Sequence, residues 1–224
     1  SKPMKKIILI AIVASIFTSC SKKGSENSNE SDKKNETQVE ECTYEVQNAF
    51  TKLEWEAYKT SAKIGVRGSF DDISIQAGTD NSSISGIATG LTFNLAVGST
   101  NSNNEERDPK IIEYFFGKML NTQFISGEIK SLNISDTATQ AIVSIKMNDI
   151  SKDIIADYSV NGNDVSLDCV LDLAQWSAED AVASLNEVCK ELHTGEDGVS
   201  KLWPEVKVTV TSTLKKNCPD ASKP

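Results

Sequence analysis

The chain has 224 residues, with 23 Lys and Arg against 32 Asp and Glu and a formal net charge of −9. An acidic chain without a basic stripe is a poor partner for nucleic acid, and for docking on anionic lipid by charge alone. A single His, His193, leaves little room for a histidine-based metal site or catalytic triad.

The first residues read as an export signal. Met4-Lys5-Lys6 is basic, and Ile7 to Phe17 is apolar but shorter than the roughly 20 residues a permanent membrane helix needs. Thr18-Ser19-Cys20 follows, so residues 4–19 have the layout of a secretory signal peptide. A Cys placed directly after the cleavage point resembles the lipobox of bacterial lipoproteins. That resemblance implies cleavage before Cys20, lipid on its new N-terminus and anchorage to a membrane of the bacterial cell envelope. An ordinary signal peptide would leave Cys20 unmodified. Residues 21–41 are Lys, Ser, Glu, Asn and Asp with almost nothing apolar, too polar to bury a core, and they read as a tether. The expected folded domain is 42–218, with a short tail at 219–224. The 7 Lys and 6 acids of residues 1–41, taken from 23 and 32, leave 16 and 26, so the domain and tail carry about −10.

From residue 50 onward apolar and polar residues alternate with period two. Leu53, Trp55 and Ala57 are followed by Ile64, Val66, Gly68 and Phe70, then by Leu91, Phe93, Leu95 and Val97. After a strand around Ile125 and Ile129 come Ala141, Val143, Ile145 and Met147, then Ile154, Ala156, Tyr158 and Val160. Val165, Leu167, Cys169, Leu171 and Leu173 follow, and Val206, Val208 and Val210 end the series. Each run predicts a strand with one buried face. Asn161-Gly162-Asn163-Asp164 is a hairpin signal between two of them. About eight such strands close most naturally into an antiparallel β-barrel, which leaves no exposed edge.

Helices interrupt the strands. Asp108, as N-cap, and Pro109 open one that runs to Leu120, with Ile111, Ile112, Phe115, Phe116, Met119 and Leu120 on its apolar face. Ser177 opens a second that runs to His193, with Ala181, Val182, Leu185, Val188, Cys189 and Leu192 as its stripe. A third helical turn is expected around 82–88. The fold class is thus mainly β, with two or three short helices.

Cys42, Cys169, Cys189 and Cys218 allow three pairings, and export permits disulfides. In a closed barrel the first and last strands are neighbours, so Cys42–Cys218 is expected to pair. Cys169–Cys189 would then pin the second helix to the barrel. Cys189 and His193 stand four apart on that helix and could face each other as a thiol pair. No catalytic motif or metal spacing accompanies them, and no cofactor is implied.

The stretch Ser99, Ser102, Asn103, Arg107-Asp108 and Phe115-Phe116 resembles the S-x-x-T-x-N-x-x-R-D…FF signature of the YceI-like family, with Ser102 in the Thr place. Val66-Arg67-Gly68-Ser69-Phe70 is similar to its V-x-G-x-F strand, and Met147-Asn148 to its M-N-G-x-x-K hairpin, with Asp149 in the Gly place. The resemblance spans about Tyr44 to Lys216. It implies an extended lipocalin-like barrel holding a long isoprenoid or other lipid, without catalysis. On that reading Trp55, Phe70, Phe93, Val97, Phe115, Phe116 and Met147 line the cavity, while Ser99, Asn103 and Arg107 meet a polar head. The residues themselves leave other readings open: core packing for the aromatics, and a loop clamp for Arg107. A barrel filled by its own side chains would be an adhesion or spacer protein, and a reactive Cys189 would be a thiol enzyme. Oligomeric state is open, with a homodimer among the options.

Overall fold

The computed structural model describes residues 41–135 and 138–219. The signal-peptide reading over 4–19, Cys20 and its lipid, the tether up to residue 40, and residues 220–224 lie outside the described residues.

The alternating runs form strands. In chain order these are β1 (Thr43–Glu45), β2 (Thr51–Lys59), β3 (Ile64–Phe70), β4 (Ile73–Gln76), β5 (Thr92–Ala96) and β6 (Thr100–Asn101). They continue with β7 (Phe124–Ser135), β8 (Ala138–Met147), β9 (Ile150–Asn161), β10 (Asp164–Asp172), β11 (Leu202–Thr213) and β12 (Lys215–Asn217). β1 and β12 pair with each other alone. The remaining ten form one antiparallel sheet in the order β4–β5–β7–β8–β9–β10–β11–β2–β3–β6.

The two ends of that order continue each other. β4 follows β3 across Asp71-Asp72, and β6 follows β5 across the 3-10 turn Val97–Ser99. β3 pairs with β6, and β4 pairs with β5. Two backbone bonds carry the ladder through the kink: Asp71 N–H donates to the Ser99 carbonyl at 3.0 Å, and Ala96 N–H to the Asp72 carbonyl at 3.1 Å. Counting each kinked pair once, eight strands circle the ring, as the periodicity predicts. The expected hairpin is present: Asn161 pairs with Asp164, and Gly162 takes φ +64°, which that two-residue turn requires. Pro204 cannot donate to a ladder, and the β11 register against β2 shifts between Leu202 and Val206, around it.

The buried face of the ring follows the alternation. Ala141, Val143, Ile145 and Met147 on β8 and Ile154, Ala156 and Tyr158 on β9 are all buried. Trp176 is completely buried and donates its indole N–H to the Ile145 carbonyl at 3.1 Å.

The helices depart from expectation in detail. The first is α2 (Asp108–Lys110) running into a π-helical turn, Ile111–Phe115, and a 3-10 turn, Phe116–Lys118. Asp108 is not its cap. Its carboxylate instead accepts from the Ser102 N–H at 3.0 Å and from the Ser102 hydroxyl, tying down the preceding loop. The changes of winding leave Met119 buried but Leu120 66% exposed, so Leu120 is not on the apolar face. α1 (Ile84–Ala88) is the expected short helix, capped by the Ser83 hydroxyl.

The second expected helix is two: α3 (Glu179–Val188) and α4 (Lys190–His193). Ser177 has φ +52° and closes the preceding 3-10 turn, so Ala178 is the N-cap instead. At Cys189 the backbone leaves helical geometry, with ψ +17°. That break shifts the phase of the stripe, leaving Val188 and Leu192 exposed and burying His193.

Cys42 and Cys218 are joined, beside the β1–β12 pair. The Cys169–Cys189 bridge does not exist: both are free and buried. Cys169 sits on the inner face of β10, where its side chain lines the barrel interior, whereas Cys189 lies at the α3–α4 break outside that wall.

Candidate functional site

The barrel interior is hollow. A cavity of about 270 Å³ lies inside the ring. Close-packed interiors contain few voids larger than one water, whose share of liquid is about 30 Å³, so roughly nine water volumes are left unfilled here. No Lys, Arg, His, Asp or Glu lines this space.

The register shows how the strands build the wall. Cys169 on β10 stands opposite Val208 on β11, Val208 opposite Trp55 on β2, and Trp55 opposite Gly68 on β3. The Trp55 indole lies over Gly68, where an added Cβ would overlap the ring. Gly127 opposite Phe93 makes the same room, so each large aromatic of the wall is accommodated by a glycine on the next strand. At the end of the barrel that bears the helices, Ile111, Phe115 and Phe116 face inward. The Phe115 and Phe116 rings meet edge to face at 4.9 Å, and Phe116 reaches Phe70 at 6.2 Å. α3 adds Val182 and Leu185.

Of the residues expected to contact a ligand, Trp55, Phe70, Phe93, Phe115, Phe116 and Met147 line the cavity. Val97 does not; it is buried in the packing between the 3-10 turn and the barrel. The expected polar head group site is not assembled. Ser99 Oγ accepts from the Asp72 N–H at 3.0 Å and donates to the Ala96 carbonyl at 2.7 Å, holding the kink of the ring. Asn103 sits at φ +56°, and its N–H donates to Asn101 Oδ1 at 2.9 Å. Arg107 donates from Nε to Ser102 Oγ and from its terminal nitrogen to the Ser102 carbonyl, both at 2.8 Å. All three are loop ties, and none lines the cavity. Arg107 is the clamp that its local sequence allows.

The thiol pair is not assembled either. His193 Nδ1 is bonded to Asn186 Oδ1 at 2.9 Å. Burial, with the Lys59 charge adding to it, pushes the His193 pKa down to about 4, so the ring is neutral at pH 7. The Cys169 thiol is pushed up to about 12 by burial and by the neighbouring Asp168 charge, the reverse of a reactive thiolate. Among the described residues no cluster of metal-ligating side chains occurs.

Sequence reasoning missed Tyr158. It is buried on β9, lines the cavity, and its hydroxyl has no hydrogen-bond partner. Burial raises its pKa to about 12. Its signal was a polar tip in the inward phase of Ile154, Ala156 and Tyr158.

No family model matches the sequence, and no curated protein does. Solved structures do. A polyisoprenoid-binding domain from Saccharophagus degradans matches with a TM-score of 0.55 at 11% identity, over 80% of this chain and 99% of that one. BcnA of Burkholderia cenocepacia matches with a TM-score of 0.52 at 14% identity, over 76% of this chain and 99% of that one. A YceI protein of Campylobacter jejuni is a further match, with a TM-score of 0.46 at 18% identity over 66% and 84%. The fold of this chain is therefore the lipocalin-like antiparallel barrel of the polyisoprenoid-binding domain and BcnA.

Proposed function

We propose that this protein binds a hydrophobic, chain-like ligand, an isoprenoid or another lipid, inside its barrel and does no chemistry on it. The observation that carries this reading is the hollow interior: an apolar cavity of about 270 Å³ with no ionic side chain in its wall. Each methylene moved from water into such a wall gains about 0.8 kcal/mol, so a long chain binds tightly with no specific contact. A filled spacer barrel would not leave this volume. The described name of the Saccharophagus degradans domain as polyisoprenoid-binding is in keeping with the same use of the fold. The N-terminal Cys20 motif makes the protein a lipid-anchored component of a bacterial envelope, so its cargo and its anchor belong to the same membrane.

The test is extraction of the gently purified full chain with organic solvent, followed by mass spectrometry, and uptake of a polyprenol by the delipidated protein. One apolar chain per protein is expected. Protein that carries no lipid and takes up no polyprenol refutes the reading. Cys20→Ala, compared by membrane fractionation, is expected to free the protein from the membrane pellet. If the variant stays in the pellet, the anchor is not at Cys20.

A further inference from the structure

The wall of the cavity contains few polar tips, and nearly all of them are already engaged by the protein. The Thr51 and Ser212 hydroxyls bond each other at 2.8 Å. Thr100 Oγ1 donates to the Val97 carbonyl at 2.7 Å, and Ser166 shares a hydrogen bond with Ser159 at 2.8 Å. The Trp55 and Trp203 indoles donate to the carbonyls of Ser69 and Thr60, at 3.3 and 2.8 Å. Among the described cavity-lining residues the exception, apart from the Cys169 thiol, is the Tyr158 hydroxyl, on a side chain only 6% exposed.

The surroundings of Tyr158 explain why nothing answers it. Leu167 stands directly opposite on β10, Val210 lies beyond it on β11, and Leu53 beyond that on β2. Ala156, two residues earlier on the same face, is fully buried and offers only a methyl. Phe in place of Tyr158 would fill the same space without a buried unpaired hydroxyl, a group that folded proteins rarely leave unmet. A hydroxyl held in an apolar wall is useful only if something entering the cavity bonds to it.

We propose that Tyr158 is the polar contact of the cavity, donating its hydroxyl hydrogen to a neutral acceptor oxygen, a carbonyl, ester or alcohol oxygen, carried on an otherwise hydrocarbon chain. This deepens the proposed function and rests on the barrel holding an apolar chain. The phenol stays protonated at any physiological pH, because burial raises its pKa to about 12. A phosphate or carboxylate would enter a wall without a single cation and lose its hydration uncompensated. The chain is therefore selected for a neutral oxygen, and a charged end stays outside the barrel.

The test compares pentadecane with the isomeric pentadecanones, whose carbonyl moves stepwise from the end to the middle. Each competes with a fluorescent apolar probe bound to the delipidated full chain. At least one ketone is expected to bind about tenfold more tightly than the alkane, the effect of one added hydrogen bond. In Tyr158→Phe that preference vanishes while alkane binding is unchanged. The empty Tyr158→Phe protein is expected to melt no lower than wild type. A clear loss of stability would mean the hydroxyl is engaged without ligand, and would overturn the premise. If both probe types bind and Tyr158→Phe keeps the preference, or the wild type shows none, the role of Tyr158 is refuted and the lipid-holding barrel stands. If neither the alkane nor any ketone binds the wild type, the lipid-holding reading falls and Tyr158 falls with it.

Discussion

Replacing both Cys42 and Cys218 by Ser is expected to lower the melting temperature markedly while leaving the barrel folded. The bridge joins residues 176 apart in sequence, so it closes a loop that contains nearly the whole domain. In the chain-entropy description a loop of that length takes about 17 cal/mol/K from the unfolded chain, or about 5 kcal/mol at 25 °C. Measured bridges more often give about 2–4 kcal/mol, because the unfolded chain keeps residual structure. Unfolding entropy of about 2.1 cal/mol/K per residue gives a domain of this size about 0.37 kcal/mol/K at the midpoint. The expected drop is therefore about 5–14 °C. The assay is thermal unfolding followed by circular dichroism, comparing the double variant with the oxidised protein. β1 and β12 pair only with each other, so the native spectrum of the ten-stranded sheet should persist below the transition. A change of less than about 2 °C would refute the reasoning, since no residual structure reduces so long a loop to that. Non-reducing peptide mapping should find Cys42 joined to Cys218, with Cys169 and Cys189 alkylated only after unfolding.

Arg107→Met removes two hydrogen bonds to Ser102 and is expected to cost about 1–3 kcal/mol in denaturant unfolding with lipid uptake unchanged. Lost uptake at full stability would show instead that Arg107 meets the ligand. His193 is buried and neutral in the fold, with its pKa lowered from 6.5 to about 4. Its contribution is thus complete above about pH 6.5, where the unfolded chain is neutral too, and is lost as pH falls toward about 4. The loss reaches up to roughly 3 kcal/mol, and His193→Gln should flatten that limb of the pH–stability curve. An unchanged pH profile in the variant would refute it.

The strands were legible because the barrel has one buried face throughout. Period-two alternation is a direct image of that face, and it located Trp55, Phe70, Phe93 and Met147 in the wall before any contact was known. The kinked ring was harder to read. Asp71-Asp72 and Val97–Ser99 look like ends of strands in sequence, yet paired backbone bonds carry the ladder across both. The polar trio failed for a physical reason. Ser99, Asn103 and Arg107 each have backbone or side-chain partners within a few residues, and local partners capture polar groups before a ligand can. The phase of the second helix failed because one non-helical residue, Cys189, rotates everything after it. That rotation also removed the bridge to Cys169 and put Leu192 in water.

The Cys42–Cys218 bond also sets a load path. The chain enters the domain through β1 and leaves it through β12, and the two are paired and covalently joined at one point. Tension applied to the polypeptide on either side of the domain runs through the sulfur–sulfur bond. The loop between, which is the entire barrel, carries none of it. A hydrogen-bonded ring pulled at its first and last strands would unzip from that edge. Here a tug on residue 41 against residue 219 is borne by a covalent bond, and the barrel keeps its shape under force that would otherwise open it.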